Sequence, residues 1–199
     1  MLSHPLIFIR HGQTDWNRER RLQGGKDIPV NATGEAQAKR NGARLAELFE
    51  DEGYAVDDFT FVASPLSRCV QTMALVREGL GLDPSNGVGF DYRLKEITFG
   101  GWEGHTYAEL RKINARAVEA REANKWSYVP PDGESYSMLS DRIRPWLEGL
   151  DRPTVVVSHG GVSRALRGLL FDLPPTEIPQ LDVPQDKLYL VQDGQGFWL

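Results

Sequence analysis

The chain has 199 residues, 40% of them hydrophobic and 26% charged, which is enough for one sizeable core. A formal net charge of -5 argues against nucleic acid or an anionic membrane as the main partner, because both need a basic face; it leaves room for a local basic pocket around a small anion. Cys69 is the only cysteine, so an internal disulfide is excluded, a cysteine-based zinc site is disfavoured, and a reducing, cytoplasmic setting is expected.

The N-terminal Met-Leu-Ser-His-Pro lacks a basic leader region, and no segment approaches the length of a membrane span. Leu6–Ile9 reads as a short buried strand that delivers Arg10 and His11 to a turn at Gly12. A charged loop follows, through Arg18–Arg21 and Leu22-Gln23-Gly24-Gly25. Thr33 is read as the N-cap of a helix reaching about Glu52, with Ala38, Gly42, Leu45 and Leu48 on its apolar face. Phe59–Ala63 is a second buried strand, closed by Ser64-Pro65. The next helix starts near Leu66 and carries Val70, Met73 and Ala74 on its apolar side. Phe90, Tyr92 and Leu94 alternate as a short strand or extended arm leading to Glu96.

Glycines 100, 101 and 104 break up the region around Trp102-Glu103. The polar stretch from Tyr107 to Lys125 reads as helical without a strong apolar stripe. Leu139, Ile143, Trp146 and Leu147 mark a helix with a kink expected at Pro145. Thr154–Val157 is a third buried strand, followed by Ser158-His159-Gly160-Gly161 and a helix through Leu170. A closing hairpin turns at Asp193-Gly194. Strands alternating with helices predict a three-layer α/β/α sandwich around a mostly parallel sheet. We expect one domain over residues 1–199, with a lid or cap at about 102–136.

Three strands thus end on polar residues: Arg10-His11, Ser64-Pro65 with Arg68 in the following helix turn, and Ser158-His159. Parallel strands bring these ends to one sheet edge, where open α/β sheets bind ligands. Two arginine forks, two histidines and helix N-termini suit a phosphate dianion. Neutral imidazole is a competent nucleophile toward phosphorus, and a second histidine, if protonated, can donate to a phosphoryl oxygen. A leaving alkoxide needs a proton from an acid of raised pKa, and Glu96, beside Ile97 and Phe99, is the best candidate. Glu103 lies close enough in sequence to compete for that role.

At this point the sequence resembles the histidine phosphatase superfamily, in the branch that includes cofactor-dependent phosphoglycerate mutases. The resemblance rests on residues 10–17 (Arg-His-Gly-Gln-Thr-Asp-Trp-Asn), Leu22-Gln23-Gly24, residues 33–38, residues 64–72 (Ser-Pro-Leu-Ser-Arg-Cys-Val-Gln-Thr), Glu96-Ile97, Phe99-Gly100, Trp102-Glu103-Gly104, Gly133-Glu134-Ser135 and Ser158-His159-Gly160-Gly161. It implies that His11 is the nucleophile and forms a covalent phosphohistidine. Arg10, Arg68 and His159 would clamp the phosphoryl group. Asn17, Gln23, Gly24 and Gly160 would add hydrogen bonds, and Glu96 would protonate the leaving oxygen. It implies no metal and no other cofactor.

Mutases of this family are longer and carry Arg and Tyr soon after the acid; here Ile97, Thr98 and Phe99 stand there. The pattern is closer to the family's phosphatases, which implies hydrolysis of a small phosphorylated substrate. A phosphoglycerate mutase is the alternative, with a non-catalytic binder of phosphorylated ligands behind it. A monomer or a homodimer is compatible with the sequence. His4 and His105 are given no role; Ser135 is expected to cap the helix it precedes, and Glu134 is left open between a pocket-border and a capping role.

Overall fold

In a computed structural model, residues 2–199 are described. Six strands form one sheet in the order β3-β2-β4-β1-β5-β6. They are β1 (Leu6–Arg10), β2 (Thr60–Ala63), β3 (Val88–Phe90), β4 (Thr154–Ser158), β5 (Leu188–Gln192) and β6 (Gln195–Trp198). β1 to β4 run parallel, while β5 and β6 are antiparallel to their neighbours. The helices are α1 (Asp15–Arg18), α2 (Ala32–Glu52), α3 (Ser67–Gly79), α4 (Tyr107–Ala123), α5 (Tyr136–Glu148) and α6 (Gly160–Phe171). No helix among the described residues is long and apolar enough to cross a membrane.

Strand alternation divides the interior. Leu6, Phe8 and Val156 face one side with Leu139, Ile143, Val162 and Leu166 of α5 and α6. Ile7, Ile9, Val155 and Val157 face the other with Leu45, Phe49, Met73 and Val76 of α2 and α3. Both faces of β1 and β4 are covered, which is why these strands read as unbroken apolar runs. A third, smaller cluster joins Trp102 to Leu110 and Val118 of α4, with Leu22 and Phe99 at its edge.

Several local expectations are corrected. The N-cap of α2 is Asn31, whose side chain accepts from the Gly34 amide, so Thr33 lies inside the helix. On α3, Val70 is exposed, and the inward face is Arg68, Cys69, Thr72, Met73 and Val76. Polar Arg68 and Thr72 take inward positions because the helix starts at the sheet edge, over the polar strand ends. Phe90 and Tyr92 are exposed and do not share a strand face; β3 stops at Phe90, and Tyr92–Leu94 is a 3-10 turn. In α4 the helix is interrupted at Asn114 (φ -154, ψ 82). The short helix α1 was not anticipated, although Thr14 and Asn17 form a full capping box around it. The terminal hairpin turns at Asp193 and Gly194, both with positive φ.

Candidate active site

Register brings the polar strand ends level. Arg10 pairs with Ser158 across β1 and β4, and Val157 of β4 is flanked by Ile9 and Ala63. The ladder continues one step past the strands, with the His11 amide donating to Ser158 O (2.9 Å) and the Ser64 amide to Val157 O (3.0 Å). A cavity of about 170 Å³ opens over this edge, lined by Arg10, His11, Asn17, Arg21, Leu22, Gln23, Gly24, Arg68, Glu96 and Phe99.

His11 is 2% exposed. Its Nδ1 lies 2.8 Å from Gly12 O. A carbonyl only accepts, so Nδ1 carries the proton and Nε2 keeps its lone pair. Burial, then the Arg68 and Arg10 charges, hold its pKa well below the usual histidine value. His11 is therefore a neutral imidazole at neutral pH.

His159 is fully buried and is not among the residues lining the cavity; it stands behind His11, with ring centroids 5.1 Å apart at 63°. Arg68 Nε donates to its Nδ1 (3.3 Å). That leaves Nε2 as the protonated nitrogen, donating to Ser64 Oγ at 2.8 Å. Burial and the Arg68 charge push its pKa well down too. Cys69 Sγ lies 3.4 Å from the same Nε2, and burial raises that thiol's pKa so far that it stays protonated.

Arg68, with no exposed surface, donates through Nη1 to Lys26 O (2.7 Å) and through Nη2 to Gly24 O (2.9 Å). It thereby holds the loop that carries Gln23 and Gly24. The Gln23 Oε1 is buried without a partner. Gly24 has φ +51, and a Cβ there would run into Glu103 Oε1. Arg10 Nη1 donates to Val183 O (2.7 Å), and burial lowers the Arg10 pKa to about 10, still charged at neutral pH. Asn17 Oδ1 is used by the Thr14 amide (3.1 Å) and Gln185 Nε2 (3.2 Å). Only the Asn17 Nδ2 donors remain for a ligand.

Glu96 and Glu103 separate clearly. Glu96 lines the cavity, and its carboxylate accepts from the Gly161 amide at the start of α6 (3.0 and 3.2 Å). A Cβ on Gly161 would collide with Glu96 Oε1, so the close approach requires glycine. Glu103 Oε1 instead accepts from Gly25 N (2.8 Å), Thr98 Oγ1 (2.8 Å) and Phe99 N (3.1 Å). It is a loop staple. Gly160 lies outside the cavity lining, beside the Arg10 and Arg164 guanidiniums.

The model of the histidine phosphatase superfamily (branch 1) matches residues 6–198. The chain belongs to this superfamily. It is 33% identical over 198 residues to glucosyl-3-phosphoglycerate phosphatase of Mycobacterium tuberculosis, covering 91% of this chain and 81% of that protein. It is 30% identical to "Probable phosphoglycerate mutase GpmB" of Escherichia coli, covering 98% of this chain and 87% of the relative. Among solved structures, native mycobacterial glucosyl-3-phosphoglycerate phosphatase superposes with a TM-score of 0.78 at 29% identity, over 94% of this chain and 89% of that one. The alpha-ribazole phosphatase of Shigella flexneri shares the fold, with a TM-score of 0.80 at 24% identity over 98% of this chain and 94% of that one.

This histidine phosphatase superfamily member has supports that sequence reasoning missed. Arg142 of α5 forms a bidentate pair with Glu134 (2.8 Å to each oxygen) and donates to the carbonyls of Arg93 (2.6 Å) and Lys95 (3.1 Å). Together with Ser158 Oγ, which donates to Leu94 O (2.7 Å), it fixes the segment that presents Glu96. Ser135 caps α5 as expected. Gln185 Nε2 donates to His11 O (2.9 Å) from a loop with no sequence signal. Arg21 lines the mouth but is paired with Glu19 and Glu109, each at 2.8 Å.

Proposed function

We propose that this histidine phosphatase hydrolyses phosphomonoesters of small metabolites through a phosphohistidine on His11. The observation that carries the reading is a neutral His11 whose Nε2 lone pair is free in a cavity walled by Arg10, Arg68 and one acid, Glu96. The Nε2 lone pair attacks phosphorus and the bond to the alcohol oxygen breaks. Glu96 acts as the general acid that passes a proton to that oxygen, and Arg10 and Arg68 balance charge on the phosphoryl oxygens. Water then attacks phosphorus and passes a proton to Glu96, the P–N bond breaks, and phosphate leaves. Asn17 Nδ2, Gln23 and the Gly24 amide add hydrogen bonds. His159 stays neutral behind His11 and, by accepting from Arg68 Nε through Nδ1, positions that guanidinium for the phosphoryl group. No residue in this scheme needs a metal or another cofactor. Cys69, unpaired and buried, supports a reducing, cytoplasmic setting.

The phosphatase names of the relatives that match over most of the chain favour water as the acceptor. The test is partition of the labelled phosphoenzyme between water and monophosphoglycerate. We expect inorganic phosphate as the product. Efficient turnover primed by bisphosphoglycerate would overturn the hydrolase reading in favour of a mutase.

A further inference from the structure

The loop between Gln180 and β5 ties three groups of the site. Val183 O accepts from Arg10 Nη1 (2.7 Å). Gln185 Nε2 donates to His11 O (2.9 Å) and to Asn17 Oδ1 (3.2 Å). The loop is itself anchored. Arg164 Nε donates to Leu181 O (2.7 Å), Arg167 Nη1 to Asp182 O (2.8 Å), and the buried Asn41 of α2 donates through Nδ2 to Gln185 O (3.1 Å). His11 and Asn17 line the cavity; Gln185 is half-buried and does not.

Main-chain partners settle which way both side-chain amides point. A carbonyl only accepts, so the Gln185 atom facing His11 O is the nitrogen. An N–H only donates, so the Asn17 atom facing the Thr14 amide (3.1 Å) is Oδ1. Gln185 Nε2 meets the same Oδ1 from a second side. Turning the Asn17 amide over would set its NH2 against two donors. The Nδ2 hydrogens are thus the part of Asn17 left for a ligand. Asn17 sits in α1, a single turn with no buried residue, so its hold on the rest of the site depends on such tethers.

We propose that Gln185 is a positioning residue for phosphoryl transfer. It acts through Asn17: anchored on His11 O, it keeps the Asn17 amide turned so that Nδ2 donates to a phosphoryl oxygen. Gln185 touches no substrate itself. The donor is aimed before the phosphoryl group arrives, which spares the cost of ordering it on binding. The inference rests on the phosphatase reading and adds to it a residue 168 positions from the one it orients.

The test removes the Gln185 amide and reads phosphoryl binding. The probes are inorganic phosphate, by calorimetry, and p-nitrophenyl phosphate, by steady-state kinetics; the second hardly needs the acid, so the readout bypasses Glu96. Q185M keeps the length of the side chain without its donor. We expect the phosphate Kd to rise about tenfold or more and kcat/KM to fall by a similar factor, the worth of one hydrogen bond to a charged group. N17A supplies the deciding background. There, adding Q185M changes either quantity by no more than about twofold, because the group it orients is gone. A loop that merely came adrift would release Arg10 as well and lower binding equally in both backgrounds. Unchanged phosphate Kd and kcat/KM in Q185M, or a loss in N17A as large as in the wild type, would overturn the inference and leave the phosphatase reading intact. A wild-type protein that binds phosphate but hydrolyses no ester would overturn the phosphatase reading alone, with the Kd comparison still deciding for or against Gln185. Neither binding nor hydrolysis would overturn both.

Discussion

At the scale of the residue, the proposed chemistry depends on which atoms are free. His11 gives Nδ1 to Gly12 O, so only Nε2 can attack. Glu96 is held on the Gly161 amide at the cavity wall, while Glu103 is spent on Gly25, Thr98 and Phe99. This division predicts the behaviour of a single substitution. Glu96→Ala should lower kcat/KM on alkyl phosphates by about 10²- to 10⁴-fold, the usual worth of a positioned acid, and far less on p-nitrophenyl phosphate, whose leaving group hardly needs a proton. Equal losses on both substrates, read from steady-state kinetics, would remove Glu96 from the acid role.

At the scale of the element, the site is a set of loops tied to strand ends. Arg68 and Glu103 hold loop 22–26 from opposite sides, and Arg142 with Ser158 holds the segment before Glu96. Glu103→Ala leaves three donors without their acceptor. We predict a loss of about 2–3 kcal/mol in urea unfolding, because part of that deficit is met by water in this half-buried loop. We also predict a raised KM, since Gln23 and Gly24 lose their position; unaltered stability and KM would show that the staple is idle. The main elements were legible in the sequence because β1, β2 and β4 are apolar runs that end in polar residues. The Glu103 staple and the Arg142 clamp were not. Glu103 accepts from the Gly25 amide 78 residues away, and Arg142 donates to the Arg93 and Lys95 carbonyls 49 and 47 residues away; main-chain partners at such distances leave no mark on a sequence. Glu134, left open in the sequence, proved to be the counter-charge of Arg142.

At the scale of the whole molecule, the sheet joins strand ends that are far apart in the chain, and the sandwich buries them. The order of motifs made this sheet edge readable in advance. The depth of His159 was not readable, since a histidine after a buried strand can face the cavity or stand behind it. Burial of both imidazoles has a global consequence. Each is held below its unfolded pKa of about 6.5, so the unfolded chain binds more protons as pH falls below that value. Stability is therefore full above about pH 6.5 and declines from there toward pH 5, by up to about 1.4 kcal/mol per pH unit for each histidine. Urea unfolding across this window checks it, and a flat profile would mean that the two rings are not neutral in the folded protein. The most direct test of the central claim is to mix the protein with a phosphate ester, quench in alkali, where phosphohistidine survives, and map the modified residue by mass spectrometry and ³¹P NMR. The account predicts phosphate on Nε2 of His11 and none in His11→Ala; phosphate on Nδ1, on another residue, or retained in His11→Ala would contradict it.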